Sequence, residues 1–227
     1  STWMPTAMIS DARVIEEYYL ETYGKRSHCI AYGAEAERAE THEVLDRLGL
    51  EPGGYFLYVS RMEPENNALL VVEELAKTAT DKKLVMVGDA PYAAEYLQRV
   101  KSVRDPRILF PGAIYGQGYR ELQSHCFAYI HATEVGGTHP ALIEAMGRAA
   151  PVLYLRTPEN EEVAGEAGLG YGKAEGDLAA AIERLCALPE QERRDRGLAA
   201  QRVARARYDW EHVTDQYEAL FRELTSR

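Results

Sequence analysis

Six short apolar segments between residues 55 and 172 constrain the fold more than anything else in the chain. They are 55–60 (Tyr-Phe-Leu-Tyr-Val-Ser), 83–87, 108–110, 127–131, 152–155 and 168–172. The first is apolar almost without a break, as expected of a strand covered on both faces. Helical runs at 68–78, 92–103, 118–125 and 140–149 alternate with these segments, and 157–163 holds a loop or short helix. Such alternation gives βαβ units in an open parallel sheet. The expected class is therefore α/β, a doubly wound parallel sheet with helices on both faces. From residue 177 onward the pattern is helical: 177–188, 189–206 and 210–224. Asp209 caps the last helix, which places Val213, Tyr217, Leu220 and Phe221 on one face. Upstream, Ser10-Asp11 is expected to cap a helix ending at Gly24, residues 27–31 read as a strand, 35–40 as a polar linker and 41–48 as a short helix.

Ligands of open α/β sheets bind beyond the carboxyl ends of the strands, so the loops there carry the functional reading. Residues 133–146 read Thr-Glu-Val-Gly-Gly-Thr-His-Pro-Ala-Leu-Ile-Glu-Ala-Met. Gly136 and Gly137 permit unusual backbone angles, and Pro140 suits the first turn of a helix. Free amides at such a helix start form an anion site. Glu144 lies one turn deeper, roughly 5 Å along the axis, about the step from a diphosphate to its ribose. The plainer alternative makes Glu144 a first-turn acid favoured by the helix dipole. Arg61 directly follows the first strand; it could fork onto phosphate oxygens or pair with Glu63 or Glu65. Asn66 and Asn67 could cap the helix behind them. Gly88-Asp89 is a tight turn, Glu134 could be a rim carboxylate, His139 an N-cap and His131 a strand-end residue bonded to backbone.

Composition excludes several classes. A net charge of −10 argues against nucleic acid and means that any phosphate site must be local. No apolar run approaches the ~20 residues of a membrane span. Cys29, Cys126 and Cys186 are odd in number and far apart, and read as reduced core residues of a cytosolic protein. The six histidines lack metal spacing. There is no nucleophile elbow, no phosphate loop ending in Gly-Lys-Ser/Thr, and no three-glycine dinucleotide fingerprint. That last absence disfavours a nicotinamide-dependent dehydrogenase. The start at Ser1, without Met or a signal pattern, is expected of an excised piece of a longer protein.

The order of motifs resembles the retaining glycosyltransferases of the GT-B fold, family four. The carriers are Val-Ser-Arg61, Pro64-Glu65, Val87-Gly88-Asp89, Phe110-Pro-Gly112 and Gly-Gly-Thr-His-Pro-Ala-Leu-Ile-Glu144-Ala-Met. The resemblance runs from about residue 27 to the end and implies the Rossmann-like, nucleotide-sugar-binding half of that fold. By its logic residues 1–34 are the tail of an N-terminal acceptor domain and 35–206 the donor-binding domain. Residues 207–227, opening with Tyr208-Asp-Trp-Glu211, form a helix that returns to the missing domain. It implies Arg61 and Glu144 as catalytic residues. It implies donor contacts from Arg61, Asn66, Gly88, Glu134, Gly136, Gly137, Thr138, His139, Pro140, Ala141 and Glu144, with no metal and no other cofactor. The family usually has a second Glu eight positions before Glu144, where this chain has Gly136, and a Lys where it has Asn66. Those departures resemble a bacterial rhamnosyltransferase-like branch, which implies a dTDP-linked donor and a saccharide or lipid-linked acceptor in surface polysaccharide synthesis. A cytoplasmic location with at most peripheral membrane contact follows from the same resemblance. Alternatives are a non-catalytic nucleotide-sugar-binding module and a sugar epimerase or phosphorylase on the same architecture.

Overall fold

The computed structural model describes residues 6–90 and 92–226. Pro91, which closes the expected loop after the second apolar segment, lies outside the described residues. The chain opens with β1 (Ile9–Ser10), α1 (Arg13–Tyr23) and β2 (His28–Cys29), then α2 (Glu43–Leu48). The main body is β3 (Tyr55–Val59), α3 (Ala68–Ala76), β4 (Lys83–Val87), α4 (Ala94–Ser102), β5 (Ile108–Gly112), α5 (Gly116–His125), β6 (Ala128–His131), α6 (Pro140–Gly147), β7 (Val152–Leu155), α7 (Pro158–Ala164) and β8 (Leu169–Tyr171). Helices α8 (Asp177–Ala187), α9 (Glu190–Arg207) and α10 (Trp210–Thr225) complete it. No helix among the described residues is long and apolar enough to cross a membrane.

Strands β3 to β8 form one parallel sheet in the order β5-β4-β3-β6-β7-β8. The chain winds outward from β3 in one direction, then returns to pair β6 against β3 and winds the other way. Successive residues of each strand face opposite layers. Tyr55, Leu57, Val85, Tyr129 and Val152 enter one core with residues of α2, α5, α6 and α9. Phe56, Tyr58, Leu84, Met86 and Ile130 enter the other with α3 and α8. Two buried faces explain why these strands read as apolar runs and not as an alternation. A third, small cluster joins Ile30 to Val213 and Leu220 of α10.

Two sequence expectations need correction. Ser10-Asp11 does not cap α1: the helix starts after Ala12, without a cap from its own side chains, and Ser10 lies in β1. The carboxylate of Glu162 accepts from the amides of Arg13 and Val14 instead, at 3.0 and 3.1 Å. Phe221 lies beside Tyr217 on α10, with ring centroids 6.1 Å apart, and is exposed where Val213 and Leu220 are buried. Of the cysteines, all free, Cys126 alone is buried, and Cys29 and Cys186 are half-buried. The polar stretch 35–40 has no regular structure but is strapped to the body. Its carbonyls accept from Arg148, Gln201 and Arg205, and Arg38 donates to the Ser124 carbonyl. Tyr18, Leu20 and Tyr23 of α1 and Trp210 of α10 are exposed.

Remote carboxylates also cap α2 and α8. Glu121 accepts from the Val44 amide at 2.8 Å and from the Thr41 hydroxyl at 2.6 Å. Glu74, 2% exposed, accepts from the amides of Gly176 and Ala179 at 3.0 and 3.1 Å and pairs with Lys77 at 2.7 Å. Burial alone would raise the Glu74 carboxyl; Lys77 and the two amides outweigh it and hold it below the usual range. Glu74→Ala is expected to lower stability by about 1–3 kcal/mol, the scale of charged hydrogen bonds left unmade. Urea unfolding at neutral pH should show a lower midpoint with an unchanged slope. An unchanged midpoint would remove Glu74 as the link between α3 and α8.

Candidate functional site

The loops after β3 and β6 leave adjacent strands and lead to helices on opposite faces of the sheet. They therefore diverge and open a crevice at the carboxyl ends of the strands. The crevice holds a cavity of about 860 Å³, also walled by the loops after β4 and β5. Among the residues expected at the site, Arg61, Asn66, Gly88, His139, Pro140 and Ala141 line it. Glu134, Gly136, Gly137, Thr138 and Glu144 do not.

Hydrogen bonds tie the two loops together across the crevice. The Glu134 amide donates to the Glu65 carbonyl at 3.0 Å, and the Asn67 side chain to the Ala132 carbonyl at 2.8 Å. Asn66 donates to the Arg61 carbonyl at 2.8 Å, while the Tyr58 hydroxyl donates to the Asn66 carbonyl at 2.7 Å. Neither asparagine caps α3 with its side chain, contrary to the sequence expectation. They are loop fasteners, and Asn67 adopts a left-handed backbone (φ 54°) that Asn tolerates better than most residues. Gly88 has φ 142°, and a Cβ there would collide with the Ser60 carbonyl oxygen, so only glycine lets the loops after β3 and β4 meet.

Arg61 is the cavity's exposed cation. Its side chain is 68% exposed and lies 3.5 Å from Glu63. An exposed pair of this kind is worth at most ~1 kcal/mol, so an anion in the crevice competes with it easily. At the opposite wall Pro140 opens α6, and His139 precedes it in extended conformation. The amides of His139 and Ala141 have no protein acceptor among the described residues, so the helix start presents free donors. The glycine turn itself is already occupied. A Cβ on Gly137 would collide with the Asp11 carboxylate, and the Thr138 hydroxyl donates to the Asp11 carbonyl. Glu134 pairs with Lys173 at the rim.

Glu144 lies in a separate, smaller depression of about 230 Å³ with Tyr119, Arg120, Arg148 and Trp210. It accepts from the Tyr119 hydroxyl at 2.6 Å, and Gln123 donates to the same hydroxyl at 2.8 Å. Burial pushes that phenol far above its usual range, which keeps it a neutral donor. Helix α6 is the common wall: Ala141 faces one depression and Glu144 the other. Sequence reasoning missed Tyr119, because its partner is 25 residues away on another helix. It also missed Tyr115, 84% exposed on the loop after β5; its place beyond a strand end was the available signal.

His131 and His139 both line the crevice, with ring centroids 4.8 Å apart. Among the described residues the Nε2 atoms of both have no partner. Burial, then the neighbouring His139, push His131 down to about 3; burial likewise lowers His139 against the pull of Asp11 and Glu159. Both rings are therefore neutral at physiological pH, and the charged residues that line the crevice are Arg61, Glu65 and Asp89. A folded-state pKa below the unfolded ~6.5 means that the unfolded chain binds more protons between those values. The contribution of His131 to stability is thus complete above about pH 6.5 and falls as the pH drops towards 3. Thermal unfolding followed from pH 7 to pH 4 should show a smaller loss of Tm in His131→Asn than in wild type. Equal slopes would exclude His131 as an acid-sensitive group.

Comparison with known proteins places this geometry. A family model described as glycosyl transferases group 1 matches residues 53–187. N-acetyl-alpha-D-glucosaminyl L-malate synthase of Bacillus anthracis is 26% identical over 173 residues, 74% of this chain and 45% of that protein. O-antigen chain mannosyltransferase B of Escherichia coli is 25% identical over 184 residues, 78% of this chain and 48% of that protein. The chain thus spans about half the length of the curated relatives it matches. Among solved structures, Anabaena HepE in complex with UDP and glucose superposes over 100% of this chain and 65% of its own, with a TM-score of 0.87 at 18% identity. A glycosyltransferase from Rickettsia africae covers 96% of this chain, with a TM-score of 0.87 at 16% identity. At those identities the likeness concerns the fold.

Proposed function

Because the chain belongs to the glycosyl transferases group 1 family, we propose that its switch-point crevice binds the donor of a sugar transfer, a nucleotide diphosphate sugar. One observation carries this reading: free amides at the start of α6 face Arg61 across a cavity at the carboxyl ends of β3 and β6. The diphosphate lies against His139 and Ala141 and draws Arg61 from Glu63. The nucleoside crosses α6 so that Glu144 meets the ribose hydroxyls. A carboxylate has about four acceptor positions, so the Tyr119 bond leaves room for them. The remaining donor contacts, Gly88, Glu134, Gly136, Gly137 and Thr138, act through the shape of the loops. As the bond from the anomeric carbon to the diphosphate breaks, charge grows on the leaving oxygens. Arg61 and the amides stabilise it there without a metal ion.

The finer reading follows the sequence resemblance: a retaining hexosyltransferase of a rhamnosyltransferase-like branch, using a dTDP-linked sugar in the synthesis of a bacterial surface polysaccharide. Residues 1–34 and 207–227 then serve an N-terminal acceptor domain in the cytoplasm, and the saccharide or lipid-linked acceptor binds between the two domains. That HepE was crystallised with UDP and glucose supports a nucleotide-sugar donor in this fold. A second reading, a binding module without catalysis, is favoured by Asn66, which brings no charge and whose side-chain amide is engaged by the Arg61 carbonyl.

Calorimetric titration with dTDP, UDP and GDP tests the site. Arg61→Ala is expected to weaken binding of the preferred nucleotide by ~1.5–3 kcal/mol, and Glu144→Gln to weaken binding or turnover while the fold is kept. Chelation with EDTA should change neither. Nucleotide binding identical in wild type and both variants would sink the assignment. Nucleotide binding with no transfer from any sugar nucleotide by the full-length protein would favour the module.

A further inference from the structure

At the other end of the sheet, where β3, β4, β6 and β7 begin, a cavity of about 660 Å³ lies against α9. It shares no lining residue with the donor crevice. Arg38, Lys82, Arg193 and Arg194 border it, with Glu190 as the sole carboxylate in its lining. The chain has 36 acidic against 26 basic residues. Even so, among the described residues none of the four cations lies within ion-pair distance of a carboxylate.

Two of the charges are held close together. Lys82 Nζ stands 4.3 Å and Arg193 Cζ 4.8 Å from the centroid of the same Phe127 ring. They are within about one Debye length of each other, ~10 Å at 0.1 M salt, and repel. The ring offsets only part of that repulsion. Backbone carbonyls explain one donor on each of three cations: Arg38 to Ser124, Lys82 to Gly53 at 3.1 Å and Arg193 to Leu188. Ser124 and Leu188 end helices, where cations are favoured by the dipole. That role uses one N–H of each side chain, whereas a guanidinium has five and an ammonium three. The other donors have no acceptor among the described residues.

We infer that this cavity is a second anion site, one that takes a phosphate-bearing ligand. Several oxygens and more than one negative charge would satisfy the donors left over along the cavity wall, and Phe127, Pro151 and Leu198 give its carbon portion an apolar wall. The phosphate comes from a free phosphorylated metabolite or from a phospholipid headgroup, and the inference does not rest on the donor reading.

The probes are inorganic pyrophosphate, titrated by calorimetry, and phosphatidylcholine vesicles with and without phosphatidylglycerol, assayed by flotation. The full chain is expected to bind at least one of them. The double variant Lys82→Ala with Arg194→Ala should weaken that binding about a hundredfold, one decade for each of the two lost charged contacts. Arg61→Ala should change it less than about twofold, which separates this site from the donor crevice. Pyrophosphate binding assigns a free phosphate, and binding only to phosphatidylglycerol vesicles assigns a headgroup; both support the site. The inference fails if neither probe binds, if the double variant binds like wild type, or if only Arg61→Ala abolishes binding. Arg194 is exposed, so Arg194→Glu gives the same reading should the double variant misfold by circular dichroism.

Discussion

The parallel pairing of β3 with β6 is the contact on which the rest depends. Phe56, Leu57 and Tyr58 sit in register with Ala128, Tyr129 and Ile130, and winding reverses between these two strands. Any other neighbour for β3 would let the following loops run side by side and close the gap. With this neighbour they part, and the crevice is a product of connectivity before any side chain fills it. The Glu134 amide and Asn67 then fasten the lips at a fixed separation. Glycine at position 88 lets the loop after β4 approach close enough to form the floor.

Electrostatics follow a similar division between frame and surface. The chain is acidic overall, and three of its carboxylates serve the frame. Glu162, Glu121 and Glu74 each cap a helix far away in sequence, tying α1 to α7, α2 to α5 and α8 to α3. A carboxylate at a helix start gains from both hydrogen bonds and the dipole, and cross-linking two elements ties the gain to the fold. The crevice offers an anion one exposed arginine and a few amides, beside the carboxylates of Glu65 and Asp89 and above histidines that burial keeps neutral. An anion is then drawn by local donors within a field that otherwise repels it.

Much of the framework was legible in the chain alone. Six apolar segments followed by helical runs determine an open parallel sheet, because a strand buried on both faces must be apolar throughout and a parallel connection needs a crossover. The positions of Arg61 and Gly88 just beyond strand ends, and of Pro140 at a helix start, were equally readable, since open sheets present their loops at one edge. The Glu144–Tyr119 bond, the Asp11 carboxylate on the glycine turn and the remote glutamate caps were not readable. Each joins residues whose closeness no local pattern encodes. Asn66 and Asn67 show the same limit within one loop: their type announced hydrogen bonding, and only the position of β6 decided whether they would cap a helix or fasten two loops. Periodicity and backbone preference are local properties and survive in a linear reading. The partners of polar side chains are settled when the sheet brings distant segments together, and that was the part left to the tertiary structure.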